Sequence, residues 1–154
     1  MNKKLVSKLS ILALTLTVST SAIAPTITSA KTLKNLNNST ISKEIIPDIS
    51  LKYDLNESDM RNFIDAVNNE INNTPQQRGA VSTIKHALRI IVKYADLLPS
   101  WVANPLKNLF WPLYRALDKF TTISLSTLKK VMVSVGFNPR VADLIIDIID
   151  SFFL

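Results

Sequence analysis

Histidine, cysteine and clustered carboxylates supply most of the acid–base, nucleophilic and metal chemistry of proteins, and this chain contains few of them. Its 154 residues include no cysteine and a single histidine, His86. The absence of cysteine excludes disulfides, thiolate metal sites and cysteine nucleophiles. A single histidine excludes any metal centre that needs several imidazole ligands. His86 is therefore the one candidate for imidazole chemistry.

His86 lacks the sequence context of an enzyme. No G-x-S-x-G, H-E-x-x-H or paired-aspartate calcium loop occurs in the chain. On a helix, His86 lies roughly opposite the apolar stripe formed by Ile84, Leu88 and Ile91. This position is typical of a histidine on the surface or at the boundary of a core, and we interpret His86 in that way.

An acidic stripe near the C-terminus is the second candidate for metal chemistry. Asp143, Asp147 and Asp150 recur at i, i+4 and i+7, which places them on one face of a helix. Carboxylates in such a stripe are usually the solvated face of an amphipathic helix. We therefore predict that the protein is not an enzyme, with no catalytic residues, no cofactor and no metal site.

Basic side chains form a more informative pattern, because charge is sorted along the chain. Residues 79–140 carry nine bases and two acids, whereas residues 41–78 carry four bases and seven acids. Lys85, Arg89 and Lys93 are spaced four apart and form one basic stripe on a helix. This stripe either is a solvated face, or faces the acidic stripe across a helix pair, or binds anionic lipid or wall polymer.

Aromatic and basic residues occur together between residues 101 and 120. Aromatic rings beside bases are typical of a helix that lies at a membrane–water interface. The alternative is that the same rings cover the core of a helical bundle. The candidate residues for contact with a membrane or a partner are Lys85, Arg89, Lys93, Trp101, Lys107, Trp111, Tyr114, Arg115 and Lys119.

The elements that position these residues are preceded by a predicted export signal. Residues 1–30 combine a basic n-region, an apolar h-region and a small-residue cleavage site that ends at Ala30. Another small-residue site ends at Ala24, but Pro25 follows it, and proline at that place usually blocks signal peptidase. The apolar segment is short for a span of about 20 residues. We therefore predict a secreted protein that is cleaved after Ala30.

N-terminal sequencing of the secreted protein tests this cleavage site directly. We expect the mature chain to begin at Lys31, because the small residues that precede it fit the signal peptidase. A mature N-terminus at Pro25, or at Met1, would contradict the prediction.

The mature chain is basic but only moderately so. Cleavage after Ala30 leaves 15 bases and 12 acids, a net charge of +3. This charge is small for a surface that follows a phosphate backbone, so nucleic acid is not an expected partner. A composition rich in lysine, asparagine and isoleucine, without cysteine, indicates export from a Gram-positive bacterium.

The mature sequence predicts an all-α protein. Residues 31–56 are rich in asparagine and read as a mobile polar arm, with a short docked segment around Ile45 to Leu55. Residues 57–154 show the apolar periodicity of a compact bundle of four to five short amphipathic helices. The predicted helix starts, from capping residues and prolines, are Ser58, Thr74, Asn104, Ser124 or Ser126, and Asn138.

The apolar content of the C-terminal half indicates a binding partner. More than half of residues 79–154 are apolar, which exceeds what a bundle of that size can bury. Residues 74–154 resemble, in general character, the cysteine-free helical bacteriocins of saposin-like shape, which are basic exported bundles of four or five short helices. The acidic stripe departs from that pattern.

Two functions are compatible with these features. The resemblance implies a secreted protein that acts on membranes or cell surfaces, bacteriocin-like or toxin-like, with an anionic membrane or cell-envelope surface as partner. The alternative is a secreted, non-enzymatic protein-binding module, such as an inhibitor, an immunity factor or a host-directed effector. Self-association is possible in both. Aromatic rings that point outward beside Lys107, Arg115 and Lys119 favour the first function, and rings that point inward favour the second.

Overall fold

Six helices form the part of the chain that the computed structural model describes, residues 38–75 and 77–154, with side chains from residue 44 onward. They are α1 (Asn38–Tyr53), α2 (Glu57–Asn73), α3 (Ala80–Lys93), α4 (Ser100–Ala116), α5 (Leu125–Ser134) and α6 (Pro139–Phe152), with 3₁₀ turns at Ala95–Leu97 and Leu117–Lys119. Within these residues there is no strand, so the prediction of an all-α fold is confirmed. The predicted signal peptide lies outside the described residues.

Three helices begin at or next to their predicted starts because a polar side chain caps each one. The side chains of Asn56, Ser124 and Asn138 each accept a hydrogen bond from a backbone N–H of the following first turn, at 2.8, 3.2 and 2.9 Å. These bonds satisfy N–H groups that have no partner within the helix. Gly136 follows α5 with a φ of +113°, a conformation that glycine adopts without strain.

The predicted start of α3 at Thr74 is wrong. The backbone N–H of Thr74 donates to the carbonyl of Ile71 at 3.3 Å, and its hydroxyl donates to the carbonyl of Glu70 at 2.7 Å. Thr74 therefore closes α2 and does not stand at the start of the next helix. The helix α3 begins instead after Gly79, whose φ is +96°.

The predicted boundary between α3 and α4 is also displaced. The helix α3 ends at Lys93, and a 3₁₀ turn follows it. The residue before Pro99 is extended, as proline usually requires of its neighbour, so the chain cannot continue as one helix. The helix α4 then starts at Ser100 rather than at Asn104, and Pro105 lies inside it.

Within the predicted arm over residues 31–56, the segment around Ile45 to Leu55 packs against the rest of the domain. In α1, Ile46, Ile49 and Tyr53 are no more than 5% exposed and belong to the common hydrophobic core. Their spacing of i, i+3 and i+7 places them on one face of the helix. The short docked segment is therefore a helix with a buried face. Residues 31–37 lie outside the described residues.

All six helices contribute to one hydrophobic cluster. The apolar stripe of α3 points into it, including the fully buried side chains of Leu88 and Ile91. The helix α1 also covers this core, through Ile46, Ile49 and Tyr53. The large apolar side chains left exposed in the described part of the chain are Leu51, Leu97, Trp101, Trp111, Val133 and Leu154. None of the described helices has both the length and the apolar character needed to cross a bilayer.

Candidate interaction surface

The exposed side of α4 combines an indole ring with bases. Trp111 is 60% exposed, which is the largest exposure of any aromatic side chain among the described large apolar residues. Lys107 and Arg115 stand four residues before and after it, so they flank it on the same face of the helix. The sequence-based alternative that the rings only cover the core is therefore wrong for Trp111.

Trp111 belongs to a cluster of three aromatic rings on α4. Its ring lies edge-on to Phe110, with centroids 5.1 Å apart, and to Tyr114, with centroids 5.8 Å apart. Phe110 and Tyr114 are half-buried and 5.5 Å apart. Edge-to-face pairs of this kind hold their rings in fixed positions. The Trp111 ring is therefore exposed to solvent while it packs against the rings of Phe110 and Tyr114.

The basic stripe of α3 joins this cluster through Tyr114. The ammonium of Lys85 lies 4.5 Å from the centre of the Tyr114 ring, and the guanidinium of Arg89 lies 4.9 Å from it. Arg89 also donates a hydrogen bond to the Tyr114 hydroxyl. These contacts place bases of α3 and α4 on one surface, defined here as the Trp111 surface: Lys85, Arg89, Lys107, Trp111, Tyr114, Arg115 and Lys119.

Two lysines of the Trp111 surface are partly neutralised. Lys85 forms an ion pair with Asp118, and Lys107 forms one with Asp96. Neither aspartate is among the residues predicted from the sequence. Asp118 is brought to Lys85 by the packing of α3 against the end of α4, and no local spacing predicts that contact.

Arg115 and Lys119 differ from these two lysines in their contacts. Among the residues that the structure describes, neither forms an ion pair. Both residues are exposed: Arg115 lies on α4 four residues after Trp111, and Lys119 lies in the 3₁₀ turn that follows α4. The free positive charge of the Trp111 surface is therefore concentrated at the C-terminal end of α4, with Arg89 beside it.

Two candidate residues lie apart from this surface. Lys93 forms an ion pair with Glu70 of α2 at 2.8 Å, and the Tyr94 hydroxyl donates to the same carboxylate at 2.8 Å. The hydrogen bond from Lys93, which has the larger effect, and the one from Tyr94 lower the pKa of Glu70. Trp101 is only 37% exposed and lies under the guanidinium of Arg140, 4.9 Å from the ring centre.

The acidic stripe of α6 pairs with α1 and α5 rather than with the basic stripe of α3. Asp143 forms an ion pair with Lys129 of α5 at 2.6 Å. Asp147 accepts hydrogen bonds from Lys52 and from the Tyr53 hydroxyl of α1, both at 2.6 Å. The interpretation in which the acidic and basic stripes face each other is therefore wrong. The described residues contain no cluster of side chains suited to a metal ion.

The contact between Tyr53 and Asp147 predicts a dependence of stability on pH. Burial first, and the hydrogen bond to Asp147 second, raise the pKa of Tyr53 from 10 to about 12. Folding therefore favours the protonated phenol. The resulting stabilisation is fully present below pH 10 and is lost as the pH rises from 10 to 12.

Tyrosine absorbance titration of the wild type and of Tyr53→Phe measures this effect. The difference between the two titration curves should be centred at a pKa of about 12. The unfolding free energy of Tyr53→Phe should fall less steeply above pH 10 than that of the wild type. A difference curve centred at the ordinary tyrosine value of about 10 would contradict the prediction.

No family model, no curated protein and no solved structure matches this chain.

Proposed function

We propose that this protein is exported and binds at the surface of anionic membranes through the Trp111 surface. The observation that supports this proposal is the 60% exposure of Trp111 between two bases of the same helix. An indole ring is favoured at the depth of lipid headgroups, and bases around it are favoured beside lipid phosphates. The arrangement on α4 has both components on one face.

Electrostatic attraction starts the association in this proposal. Arg115 and Lys119, which have no ion pair among the described residues, each contribute about 1 kcal/mol near an anionic surface. Arg89 adds to this attraction because its hydrogen-bond partner, Tyr114, is uncharged. Lys85 and Lys107 contribute less, since Asp118 and Asp96 already offset their charge.

Insertion of Trp111 then holds the protein at the interface. The Trp111 ring packs against Phe110 and Tyr114, which already restrict its rotation. Little conformational entropy of the side chain is therefore lost when the ring enters the headgroup region. We assign no part in this association to Lys93, which is paired with Glu70 of α2, or to Trp101, which is less exposed than Trp111 and lies beside Arg140.

Flotation with lipid vesicles tests the proposal. The purified mature protein is mixed with vesicles of phosphatidylglycerol or of phosphatidylcholine, and the bound fraction is measured after flotation. We expect binding to the anionic vesicles alone. Trp111→Ala should weaken this binding roughly tenfold at every salt concentration, because the lost apolar contact is not screened by ions.

Trp101→Ala is the matched control, since it removes the other tryptophan of the chain. It should bind the anionic vesicles as tightly as the wild type. Equal weakening by both substitutions, or equal binding to both kinds of vesicle, would contradict the role of the Trp111 surface. Release of an enclosed dye by the bound protein would extend the proposal to a bacteriocin-like or toxin-like activity, and binding without release would restrict it to surface attachment.

A protein partner is the second candidate, and the composition of the same surface favours it. Tryptophan, tyrosine and arginine are the residue types that dominate the binding energy of protein interfaces. Arg89, Trp111 and Tyr114 form such a group, already in contact with one another. If vesicles fail to bind the wild type at low salt, this inhibitor-, immunity- or effector-type function becomes the better supported one.

A further inference from the structure

The turn between α1 and α2 has an unusual residue at its critical position. The backbone N–H of Leu55 donates to the carbonyl of Ser50 at 2.8 Å, and that of Asp54 donates to the carbonyl of Leu51 at 3.4 Å. This pattern is the Schellman motif, which needs a left-handed residue at Asp54. Asp54 accordingly has a φ of +53°, the one positive φ among the described residues other than glycine.

The turn between α5 and α6 has the same motif, with glycine at the left-handed position. There the N–H of Phe137 donates to the carbonyl of Met132 at 3.1 Å, and the left-handed position is Gly136. Glycine adopts this conformation freely, whereas an L-residue with a Cβ is strained in it. The α1–α2 turn therefore stores strain that the α5–α6 turn does not, and opening of the turn releases it.

The helix α1 is also imperfectly fitted to the bundle. Pro47 lies in its middle and has no backbone N–H to donate. The hydroxyl of Ser50 is buried without a hydrogen-bond partner among the described residues, which opposes burial of that face. Leu51, on the other side, is 85% exposed. The proline and the buried hydroxyl lower the cost of detaching α1 from the rest of the domain, and Leu51 adds nothing to the contact.

The contacts that hold α1 in place are nevertheless specific. Lys52 and Tyr53 both donate to Asp147 of α6, and Arg140 of α6 donates to the carbonyl of Tyr53 at 2.5 Å. The buried side chains of Ile46 and Ile49 complete the fit. The surface of the domain that contains Asp147 and Arg140 therefore binds a helix with the side chains of α1. The α1 helix of a second copy of the chain has the same side chains.

We propose that α1 is an exchangeable helix, which leaves its own bundle at the Asp54 turn and occupies the same position on a second copy of the chain, so that two copies form a domain-swapped dimer. Each exchanged α1 re-forms the contacts to Asp147 and Arg140 in its partner. The strain at Asp54 is present in the closed monomer and absent once the turn opens, and strained short hinges are a recognised cause of such exchange.

The oligomeric state of hinge variants tests this proposal. The mature protein is refolded at increasing concentration and examined by size-exclusion chromatography with light scattering. We expect a dimer whose fraction rises with refolding concentration and which persists for hours after dilution, because it must open locally to dissociate. Asp54→Gly, which removes the strain, should lower the dimer fraction at least threefold. Asp54→Pro, whose φ cannot become positive, should make the protein mostly dimeric.

Trp111→Ala is the control for association through the other exposed surface. It should leave the swapped dimer unchanged, whereas a dimer formed through the Trp111 surface would be lost. Amide hydrogen exchange adds a second readout, since residues of α1 should be protected in the Asp54→Pro dimer. A monomeric Asp54→Pro, or a dimer in which α1 is unprotected, would overturn the proposal. If Asp54→Pro does not fold, an equal dimer fraction in the wild type and Asp54→Gly would overturn it.

Discussion

Leu88→Ala should lower the free energy of unfolding by about 2–5 kcal/mol, since truncation of a buried leucine removes apolar contacts and leaves a cavity. Leu88 lies in the middle of α3 with only 1% of its surface exposed. The surrounding core receives side chains from all six helices, so no single helix can move to fill the space. Ile91→Ala should behave in the same way. For a domain of this size, such a loss is a large part of the total stability.

Chemical denaturation followed by circular dichroism measures this effect. Val133→Ala is the control, because Val133 is 40% exposed and its truncation should change the free energy by no more than about 0.5 kcal/mol. If Leu88→Ala unfolds at the same denaturant concentration as the wild type, α3 does not pack in the orientation described.

The double substitution Arg115→Glu and Lys119→Glu should abolish most binding to anionic vesicles at low salt. Each base contributes about 1 kcal/mol, and charge reversal replaces that attraction with a similar repulsion. The combined change of about 4 kcal/mol corresponds to a loss of affinity of roughly a hundredfold to a thousandfold. The difference from the wild type should shrink as salt is added, because these exposed charges are screened.

Arg78→Glu with Lys130→Glu provides a control of equal net charge. Both residues are exposed and neither lies on α4. This control should lose less than tenfold in affinity, since bases outside the Trp111 surface act only through the overall charge. Equal losses for the two double variants would mean that net charge, and not the Trp111 surface, controls binding.

Local sequence signals predict the helices that are bounded by their own residues. Asn138 and Pro139 mark the start of α6, and Ser124 and Gly136 enclose α5, because caps and helix-ending glycines act within a few residues. The same kind of signal is misleading at Thr74. Its hydroxyl bonds to the end of α2, and the next helix begins only at Ala80.

The helix α1 is difficult to predict from composition. Ile46, Ile49 and Tyr53 have helical spacing, but Pro47 and the polar residues around them make the segment resemble a mobile arm. Its folding depends on tertiary contacts, above all those of Tyr53 and Lys52 with Asp147. Such contacts join residues more than ninety positions apart and cannot be derived from local pattern.

The candidate site was predictable only where it depends on local spacing along one helix. Lys107, Trp111 and Arg115 share a face of α4 because they are four residues apart, and the sequence alone indicates that. Two ion pairs depend on how α2, α3 and α4 pack: Lys85 with Asp118, and Lys93 with Glu70. These contacts decide which of the bases carry free charge.

The environment of Trp111 in the presence of lipid tests the proposed function most directly. In Trp101→Phe, Trp111 is the only remaining tryptophan, so its fluorescence reports on this surface alone. We predict that titration with phosphatidylglycerol vesicles at low salt shifts its emission to shorter wavelength, as the 60% exposed ring moves from water into the headgroup region. In the reciprocal variant Trp111→Phe, the emission of Trp101 should stay unchanged. An emission maximum of Trp111 that stays constant throughout the titration would contradict membrane binding through this surface.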